Sequence, residues 1–314
     1  MTRLSAQIPE EMAGMRLDQV LAELFSDYSR SKLQTWLKAG RVLVDGAQLK
    51  AKDKVEGGES IELDAEAEVV LECEAEAIPL DIVYEDESLL IINKPAGLVV
   101  HPAVGNWTGT LQNALLNHVP SLETLPRAGI VHRIDKETSG LLMVAKTLPA
   151  HNSLVKQLQE RSIEREYSAI TKGRIIAGAT IDEPIGRHPT DRKRYAIRQT
   201  GKDAVTHYRV VERFARHTLI RVKLETGRTH QIRVHMAYVH FPLVGDPVYG
   251  GRFQLPPDCS EQLEIELRAF KRQALHAEKL GLLHPETQEY CEWIQPLPDD
   301  MIRLLAALRD NEQH

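Results

Sequence analysis

The chain has 314 residues, 42% of them hydrophobic and 27% charged, which excludes wholesale disorder and suits one large domain plus a small one. The cysteines Cys73, Cys259 and Cys291 lie far apart, which excludes a disulfide framework and a zinc site built on thiolates. No apolar run approaches the ~20 residues of a membrane span, and Glu10 and Glu11 precede any run that could form a signal core, so we expect a cytoplasmic protein.

The net charge of −6 is unevenly distributed along the chain. A nucleic-acid-binding protein usually carries a basic footprint, so the total argues against that class. However, residues 57–79 hold eight carboxylates and no lysine or arginine. Because such a segment repels itself and packs poorly, we expect residues 65–79 to form an acidic linker. Much of the negative charge then lies outside the two domains that the linker joins.

Residues 1–64 are predicted to form a small domain of two helices and a hairpin. Apolar residues recur at helical spacing between residues 17 and 24. Ser29 suits the N-cap of a second helix, which Gly40 ends. The strand-like sequence RVLV then meets Asp-Gly, a dipeptide typical of tight hairpin turns.

Basic residues gather near the junction of these predicted elements. They are Arg30, Lys32, Lys38 and Arg41. From the residues alone, a solvated helix face explains them as well as a binding surface does. The module from residue 16 to residue 46 resembles the S4-type RNA-binding domain, and that resemblance implies that these residues hold RNA backbone.

From residue 80 the chain reads as short strands mixed with helices, and we place a large domain at 80–305 and a C-terminal tail at 306–314. Predicted helices cover 111–118 and 150–161, and predicted strands cover 82–84, 89–92, 141–144, 167–171, 204–211 and 218–224. Strands outnumber helices and often follow one another through short turns. This pattern favours an α+β sheet over a doubly wound parallel one.

Asp135 is the first candidate for chemistry. It lies in the segment 129–140 (GIVHRIDKETSG), between an apolar run and a Thr-Ser-Gly turn that leads into a strand. A carboxylate at the mouth of a sheet can act as a nucleophile, a general base or a metal ligand. A turn aspartate that bonds its own backbone explains the position at least as well.

The segment 225–236 (ETGRTHQIRVHM) is dense in arginine and histidine. Arginine suits phosphate recognition or pairing with a buried carboxylate. His230 and His235 are five residues apart rather than four and lack a nearby thiolate or carboxylate, which argues against zinc and favours ordinary hydrogen-bonded histidines. Tyr167, in the strand-like REYSA, is by itself typical of core packing.

Several segments together resemble the RluA family of pseudouridine synthases. In chain order they are NKPAG at 93–97, HP at 101–102, HRID at 132–135, TSG at 138–140, REY at 165–167, GRTHQIRVH at 227–235, GDPVYG at 245–250 and QALHA at 273–277. The resemblance makes residues 80–305 the catalytic domain. It implies the pseudouridine synthase fold, with a mixed, mainly antiparallel sheet flanked by helices and loops.

The resemblance also implies a role for each of five residues. Asp135 would be the nucleophile, Arg233 would pair with it, and Tyr167 would stack on the target base. Ile232 would form an apolar wall against the uracil, and Arg133 would fill the gap that the flipped nucleotide leaves.

The implied reaction breaks the N1 glycosidic bond of uridine, rotates the uracil and joins its C5 to the ribose. It changes no oxidation state and adds no atom, so we expect neither a cofactor nor a metal. The expected substrate is 23S ribosomal RNA, at several uridines of the helix 69 hairpin, either free or in an assembling large subunit, and the expected state is a monomer. The alternatives are the same chemistry on another ribosomal or transfer RNA site, a non-catalytic RNA-binding assembly factor, and a metal hydrolase.

The basic run at 187–194 (RHPTDRKR) contains proline and polar residues that disfavour regular structure. We predict an exposed loop, which is either merely solvated or in contact with RNA phosphates. The candidates for such contacts are Arg192, Lys193 and Arg194.

Overall fold

The computed structural model describes residues 2–25, 30–65, 73–102, 105–191 and 194–312, without the side chains of residues 2, 3, 30–32 and 65. The chain divides into two compact units, Met1–Glu72 and Cys73–His314. None of the described helices combines the length and the apolar character that crossing a membrane requires.

The N-terminal unit is a three-stranded antiparallel sheet with two helices. Its elements are β1 (Thr2–Gln7), α1 (Leu17–Leu24), α2 (Arg30–Lys38), β2 (Val42–Val44) and β3 (Ser60–Ala65). The strands lie in the order β1-β3-β2. The two helices and the strand β2 confirm the predictions, whereas β1 and β3 were not predicted.

The tight turn predicted at Asp-Gly is confirmed. Asp45 and Gly46 both have positive φ, 48° and 77°, as a two-residue hairpin turn requires. The amide of Ala47 donates to the carbonyl of Val44 over 2.9 Å, and the amide of Val44 donates back to the carbonyl of Ala47. The chain does not form a second strand directly after this turn. Strand β2 pairs instead with the later strand β3.

The second unit is built on one large sheet. Its strands are β4 (Ile82–Glu85), β5 (Leu89–Lys94), β6 (Ser139–Ala145), β7 (Glu164–Lys172), β8 (Ala179–Asp182), β9 (Ile185–Arg187), β10 (Tyr195–Ile197), β11 (Val205–Arg213), β12 (His217–Leu224), β13 (Leu275–Leu283) and β14 (Tyr290–Ile294). Its helices are α3 (Leu111–His118), α4 (Leu148–Gln159), α5 (Gln231–Tyr238), α6 (Glu261–Ala269) and α7 (Asp299–Asn311).

The large sheet runs β4-β5-β6-β13-β7-β12-β11-β8, with β14 also paired to β13, while β9 and β10 form a separate ribbon. Of the strand pairs that the structure describes in the large sheet, β6 with β13 is parallel and the others are antiparallel. The predicted α+β class with a mixed, mainly antiparallel sheet is therefore confirmed.

Both faces of the central strands are covered. Because neighbouring residues of a strand point to opposite faces, Leu142 and Val144 of β6 join the core that also holds Tyr167 and helix α5. Leu141 and Met143 join the other core, which packs against α4. The seven residues of β6 are all buried, which explains why its sequence is a continuous apolar run rather than an alternating one.

The ends of this unit differ from the boundaries predicted from the sequence. Helix α7 continues to Asn311 and buries Ala307 and Leu308, so the predicted end at residue 305 falls inside a packed helix. Of the predicted linker, residues 73–79 have no regular structure but contact α3, where the side-chain amide of Asn113 donates to the carbonyl of Glu74 over 2.8 Å.

Candidate active site

A cleft of about 560 Å³ opens in the Cys73–His314 unit. Its volume is typical of sites that take a small molecule or a single nucleotide (~300–1,000 Å³). The five residues to which the resemblance assigned roles all line it: Arg133, Asp135, Tyr167, Ile232 and Arg233. They come from the loop before β6, from β7 and from α5, so the tertiary fold gathers three distant segments.

The loop that carries Asp135 is closed by a turn and anchored at its end. The amide of Thr138 donates to the carbonyl of Asp135 over 3.0 Å. Gly140, two residues further on, has φ of +108°, and a Cβ there would lie 2.3 Å from the carbonyl oxygen of Ala277. Only glycine fits this approach of β6 to β13, and the Thr-Ser-Gly sequence therefore determines where the loop ends.

Lys94 anchors the loop that carries Asp135. Its side chain is fully buried, and its ammonium donates to the carbonyls of Pro95, Leu98 and Lys136 over 2.6, 3.0 and 3.0 Å. All three protons of the ammonium are thereby used, and one of the bonds ends on the residue after Asp135. Burial lowers the pKa of Lys94 to about 7, against the nearby carboxylates of Glu137 and Asp135.

Arg233 is bonded to two carboxylates at once. Its Nη1 donates to Oδ2 of Asp135 over 2.9 Å, while Nε and Nη2 donate to the two oxygens of Asp246 over 2.7 and 3.0 Å. Asp246 also accepts the amides of Val248 and Tyr249. The bidentate side of the guanidinium faces Asp246, and Nη1 is left to orient Asp135.

The charges of Arg233 and Asp246 stabilise each other. Burial opposes the charge of Arg233, but its bonds to Asp246 and Asp135 prevail and raise the pKa of the guanidinium. Burial alone would raise the pKa of Asp246, and the Arg233 bonds and two backbone amides lower it instead. Arg233 and Asp246 are therefore both charged at neutral pH.

Tyr167 and Ile232 form the apolar part of the cleft. Both are buried, Tyr167 in the central strand β7 and Ile232 in the first turn of α5. Burial raises the pKa of the Tyr167 hydroxyl, with a further contribution from Asp135, so this hydroxyl is protonated at neutral pH. Arg133 is exposed at the rim of the cleft, a position compatible with its predicted role of filling the gap that the flipped nucleotide leaves.

His230 is a cleft residue to which the sequence assigned no role. It has φ of 57° at the N-cap of α5, a left-handed conformation that is uncommon outside glycine. Its Nδ1 shares a hydrogen bond of 2.8 Å with the hydroxyl of Tyr249, and its Nε2 lies 3.9 Å from Oδ1 of Asp135. Burial lowers the pKa of His230, although Asp135 opposes the shift.

Gln231 and His235 hold helix α5 in place. The side chain of Gln231 accepts from Thr226 and the Arg228 amide and donates to the Val205 carbonyl and Thr206. His235 bonds the hydroxyl of Thr206 through Nδ1 and the carbonyl of Glu183 through Nε2. With both ring nitrogens engaged, His235 has none for a metal, and the described residues contain no group of three potential metal ligands.

The residues predicted to bind RNA are placed only in part. The side chains of Arg30 and Lys32, and the whole of Arg192 and Lys193, lie outside the described part of the chain. Lys38 is exposed and Arg41 is half-buried in the N-terminal unit. Arg194 is half-buried rather than solvated, because its guanidinium packs 5.5 Å from the ring centroid of Tyr249.

Three residues that hold the side chains or the loop of the cleft were assigned no role from the sequence. Lys94, Asp246 and Tyr249 belong to segments that matched the family, but only their contacts reveal what they do. The sequence did hold one clue to Asp246. An arginine predicted to pair with one buried carboxylate has further N–H donors, which can bind a second carboxylate.

Comparisons with known proteins agree with this site. Residues 88–238, which include Asp135, Tyr167 and Arg233, match the model of the RNA pseudouridylate synthase family. The chain is 56% identical over 313 residues to ribosomal large subunit pseudouridine synthase D of Pseudomonas aeruginosa, covering 100% of this chain and 98% of that one. The chain belongs to the RNA pseudouridylate synthase family. It is therefore an RNA pseudouridine synthase, and the resemblance predicted from its motifs is confirmed.

Other similarities extend the comparison. The protein of the same name from Escherichia coli is 54% identical over 314 residues, covering 99% of this chain and 96% of that one. The solved structure of human RNA pseudouridylate synthase domain containing 4 is 25% identical with a TM-score of 0.59, and the match covers 73% of this chain and 93% of that one. Residues 15–61 match the S4 domain, which confirms the second predicted module.

Replacing Arg233 by alanine should destabilise the synthase by about 3–5 kcal/mol, because it leaves the fully buried carboxylate of Asp246 unpaired. Arg309 forms a similar two-bond pair with Glu212 at the surface, so Arg309→Ala is the matched control and should cost at most about 1 kcal/mol. Denaturant unfolding measures both. Equal losses in the two variants would contradict the buried arrangement.

Lys94 should make stability depend on pH. Above about pH 7 the folded protein loses the Lys94 proton, whereas the unfolded chain keeps it up to the usual pKa of 10.5. Since the unfolded state then binds more protons, the free energy of unfolding should rise with pH across this window. Denaturant unfolding should show a flatter pH profile for Lys94→Met than for the wild type. Identical slopes would mean that Lys94 keeps its proton when folded.

Proposed function

We propose that this protein isomerises uridine to pseudouridine in 23S RNA of the large ribosomal subunit, at several uridines of the helix 69 hairpin. The observation that carries the proposal is Asp135, held by Arg233 in a cleft walled by Tyr167 and Ile232. The names of the relatives, which are more than half identical over almost their whole length, support large-subunit ribosomal RNA as the substrate, and the helix 69 hairpin is the finer part of the proposal.

Asp135 is the proposed nucleophile, and its two oxygens are not equivalent. Oδ2 is engaged by Arg233 over 2.9 Å, while Oδ1 lies 3.9 Å from the nearest histidine nitrogen. The arginine therefore orients the carboxylate through Oδ2 and leaves Oδ1 as the atom that reacts at the sugar. Such a fixed geometry supplies rate by removing the need to orient the group during the reaction.

The target uridine must leave its stack to reach this carboxylate. The ring of Tyr167 and the side chain of Ile232 offer apolar surface on which the extruded base can pack. Cleavage of the bond from N1 to C1′ sends its electron pair to the uracil. Oδ1 of Asp135 bonds to C1′ as the N1 bond breaks. After rotation, C5 of the uracil bonds to C1′ and displaces the carboxylate oxygen. C5 then loses its proton and N1 gains one, so atoms and electrons balance without a cofactor.

The N-terminal unit is the module that we propose binds the RNA backbone. Lys38 and Arg41 lie at the end of α2 and immediately before β2, within the part that matches the S4 domain. Cations there would neutralise phosphates of the ribosomal RNA irrespective of its sequence. We also infer that the protein works as a monomer in the cytoplasm, where the large subunit is assembled. Sedimentation of the purified protein and cell fractionation test these two points.

Replacing Asp135 by asparagine should abolish pseudouridine formation and leave RNA affinity close to that of the wild type, because the nucleophilic charge is lost and the shape is kept. Single-turnover assays and filter binding on a transcribed helix 69 hairpin measure the two quantities. Asp203→Asn removes an exposed carboxylate and is the control. Substantial turnover by the Asp135→Asn enzyme would refute the nucleophile.

Deleting the gene identifies the substrate. Pseudouridine mapping of total RNA should then show a small cluster of sites missing from one large-subunit hairpin. Loss from a different RNA would keep the isomerase and overturn the substrate. Unchanged modification throughout would favour a non-catalytic assembly factor.

Removing the charges of Lys38 and Arg41 together should weaken RNA binding and lower its salt dependence, because each phosphate contact releases about one counterion. The slope of log affinity against log salt should fall by roughly 1.5–2 for the double alanine variant. The charge-preserving pair Lys38→Arg with Arg41→Lys should keep the wild-type slope. If the alanine variant also keeps it, these residues do not contact the RNA.

A further inference from the structure

Arg165 is a buried arginine of the cleft that the proposed chemistry has not used. It precedes Tyr167 by two residues on β7, so the two side chains lie on the same face of the strand. Both line the cleft together with Asp135. Only 7% of Arg165 is exposed, so its charge is almost entirely removed from solvent.

The protein leaves this charge unpaired. Nη2 donates to the carbonyl of Glu225 over 3.3 Å, and the buried Nε has no hydrogen-bond partner among the described residues. The other two buried arginines of the described chain each have a carboxylate: Arg233 has two, and Arg272 is 2.6 Å from Asp300. No described carboxylate lies within ion-pair distance of Arg165.

The surroundings of Arg165 do not compensate for the charge. Burial lowers the pKa of its guanidinium, and the shift is opposed by the neighbouring Tyr167 but by no carboxylate. The neighbouring His132 is neutral, because burial lowers its pKa to about 3 and its Nε2 accepts the amide hydrogen of Met143. A buried cation without an anion destabilises the free protein, so a partner is expected from outside the chain.

The backbone beside Arg165 is shaped to admit the guanidinium. A Cβ at Gly227 would lie 2.8 Å from Nη1 of Arg165. The arginine head therefore packs against the loop that leads into His230 and α5, on the cleft side of the sheet. Because residue 227 is glycine, it leaves space for the guanidinium group of Arg165.

We propose that Arg165 forms an anion-binding subsite of the cleft, which takes an anionic oxygen of the target nucleotide. Two oxygens have this chemistry: a phosphate oxygen that flanks the uridine, and the uracil oxygen that becomes negative when the bond from N1 to C1′ breaks. In the second case the electron pair of the broken bond spreads over N1 and the carbonyl oxygens, and the guanidinium fork donates to one of them. This inference rests on the proposed function, since the anion belongs to its substrate.

The test compares Arg165→Met and Arg165→Lys with the wild type in RNA affinity, single-turnover rate and melting temperature, on the transcribed helix 69 hairpin. If Arg165 meets the uracil anion, the Met variant should lose ~100-fold in rate and keep its affinity. If it meets a phosphate, the Met variant should lose at least about tenfold in affinity. The Lys variant keeps the charge and should recover part of either loss.

The melting temperature separates this role from a structural one. Because Met removes an unpaired buried charge and keeps similar bulk, Arg165→Met should melt at the wild-type temperature or above it. Gly227→Ala, which displaces the guanidinium without removing it, should reproduce part of the functional loss. The control is Arg221→Met on the opposite face of the sheet, which breaks contacts with Glu166 and Glu278 and should lower melting while sparing the rate.

Two results would overturn the subsite. One is an Arg165→Met enzyme with wild-type affinity and rate. The other is a lowered melting temperature with the same functional loss in the Met and Lys variants, which would make Arg165 a structural residue. A wild-type enzyme that forms no pseudouridine in this RNA would count against the proposed substrate instead, and the melting comparison tests Arg165 without any substrate.

Discussion

The double engagement of Arg233 is the interaction on which the site depends. One guanidinium binds the buried Asp246 through two donors and Asp135 through a third. Asp246 is in turn bonded by two backbone amides of the loop after it. Asp135 therefore takes its orientation from a group that is itself immobilised, and the positive charge of Arg233 offsets the cost of partly burying its carboxylate.

The sheet topology makes this engagement available. Strand β13, late in the chain, inserts between β6 and β7 and brings the loop before β6 next to the start of β7. The pairing of β6 with β13 is parallel and close, and it depends on the absence of a side chain at Gly140. Lys94 fixes the same loop through the carbonyl of Lys136. Backbone packing at Gly140 and the buried side chain of Lys94 thus set the position of the loop that carries Asp135.

The two buried arginines of the cleft differ in whether protein carboxylates compensate their charge. Arg233 is saturated by protein carboxylates and acts on another protein group. Arg165 has a single weak bond to a carbonyl, so its charge remains available to the substrate. In the proposed reaction, a site that handles an anionic base benefits from both, because the first orients the proposed nucleophile and the second is in place before the negative charge develops.

The sequence alone determined the family, the α+β class, most central strands and the identity of Asp135, Tyr167 and Arg233. These depend on local patterns: strand-forming apolar runs, turn residues and short motifs whose order is unusual. The partner Asp246, the unpaired state of Arg165, the end of helix α7 and the neighbours of β13 emerged only from the tertiary structure. Such features depend on contacts between residues far apart in the chain. The local sequence pattern around a residue does not indicate which distant charge or strand will contact that residue.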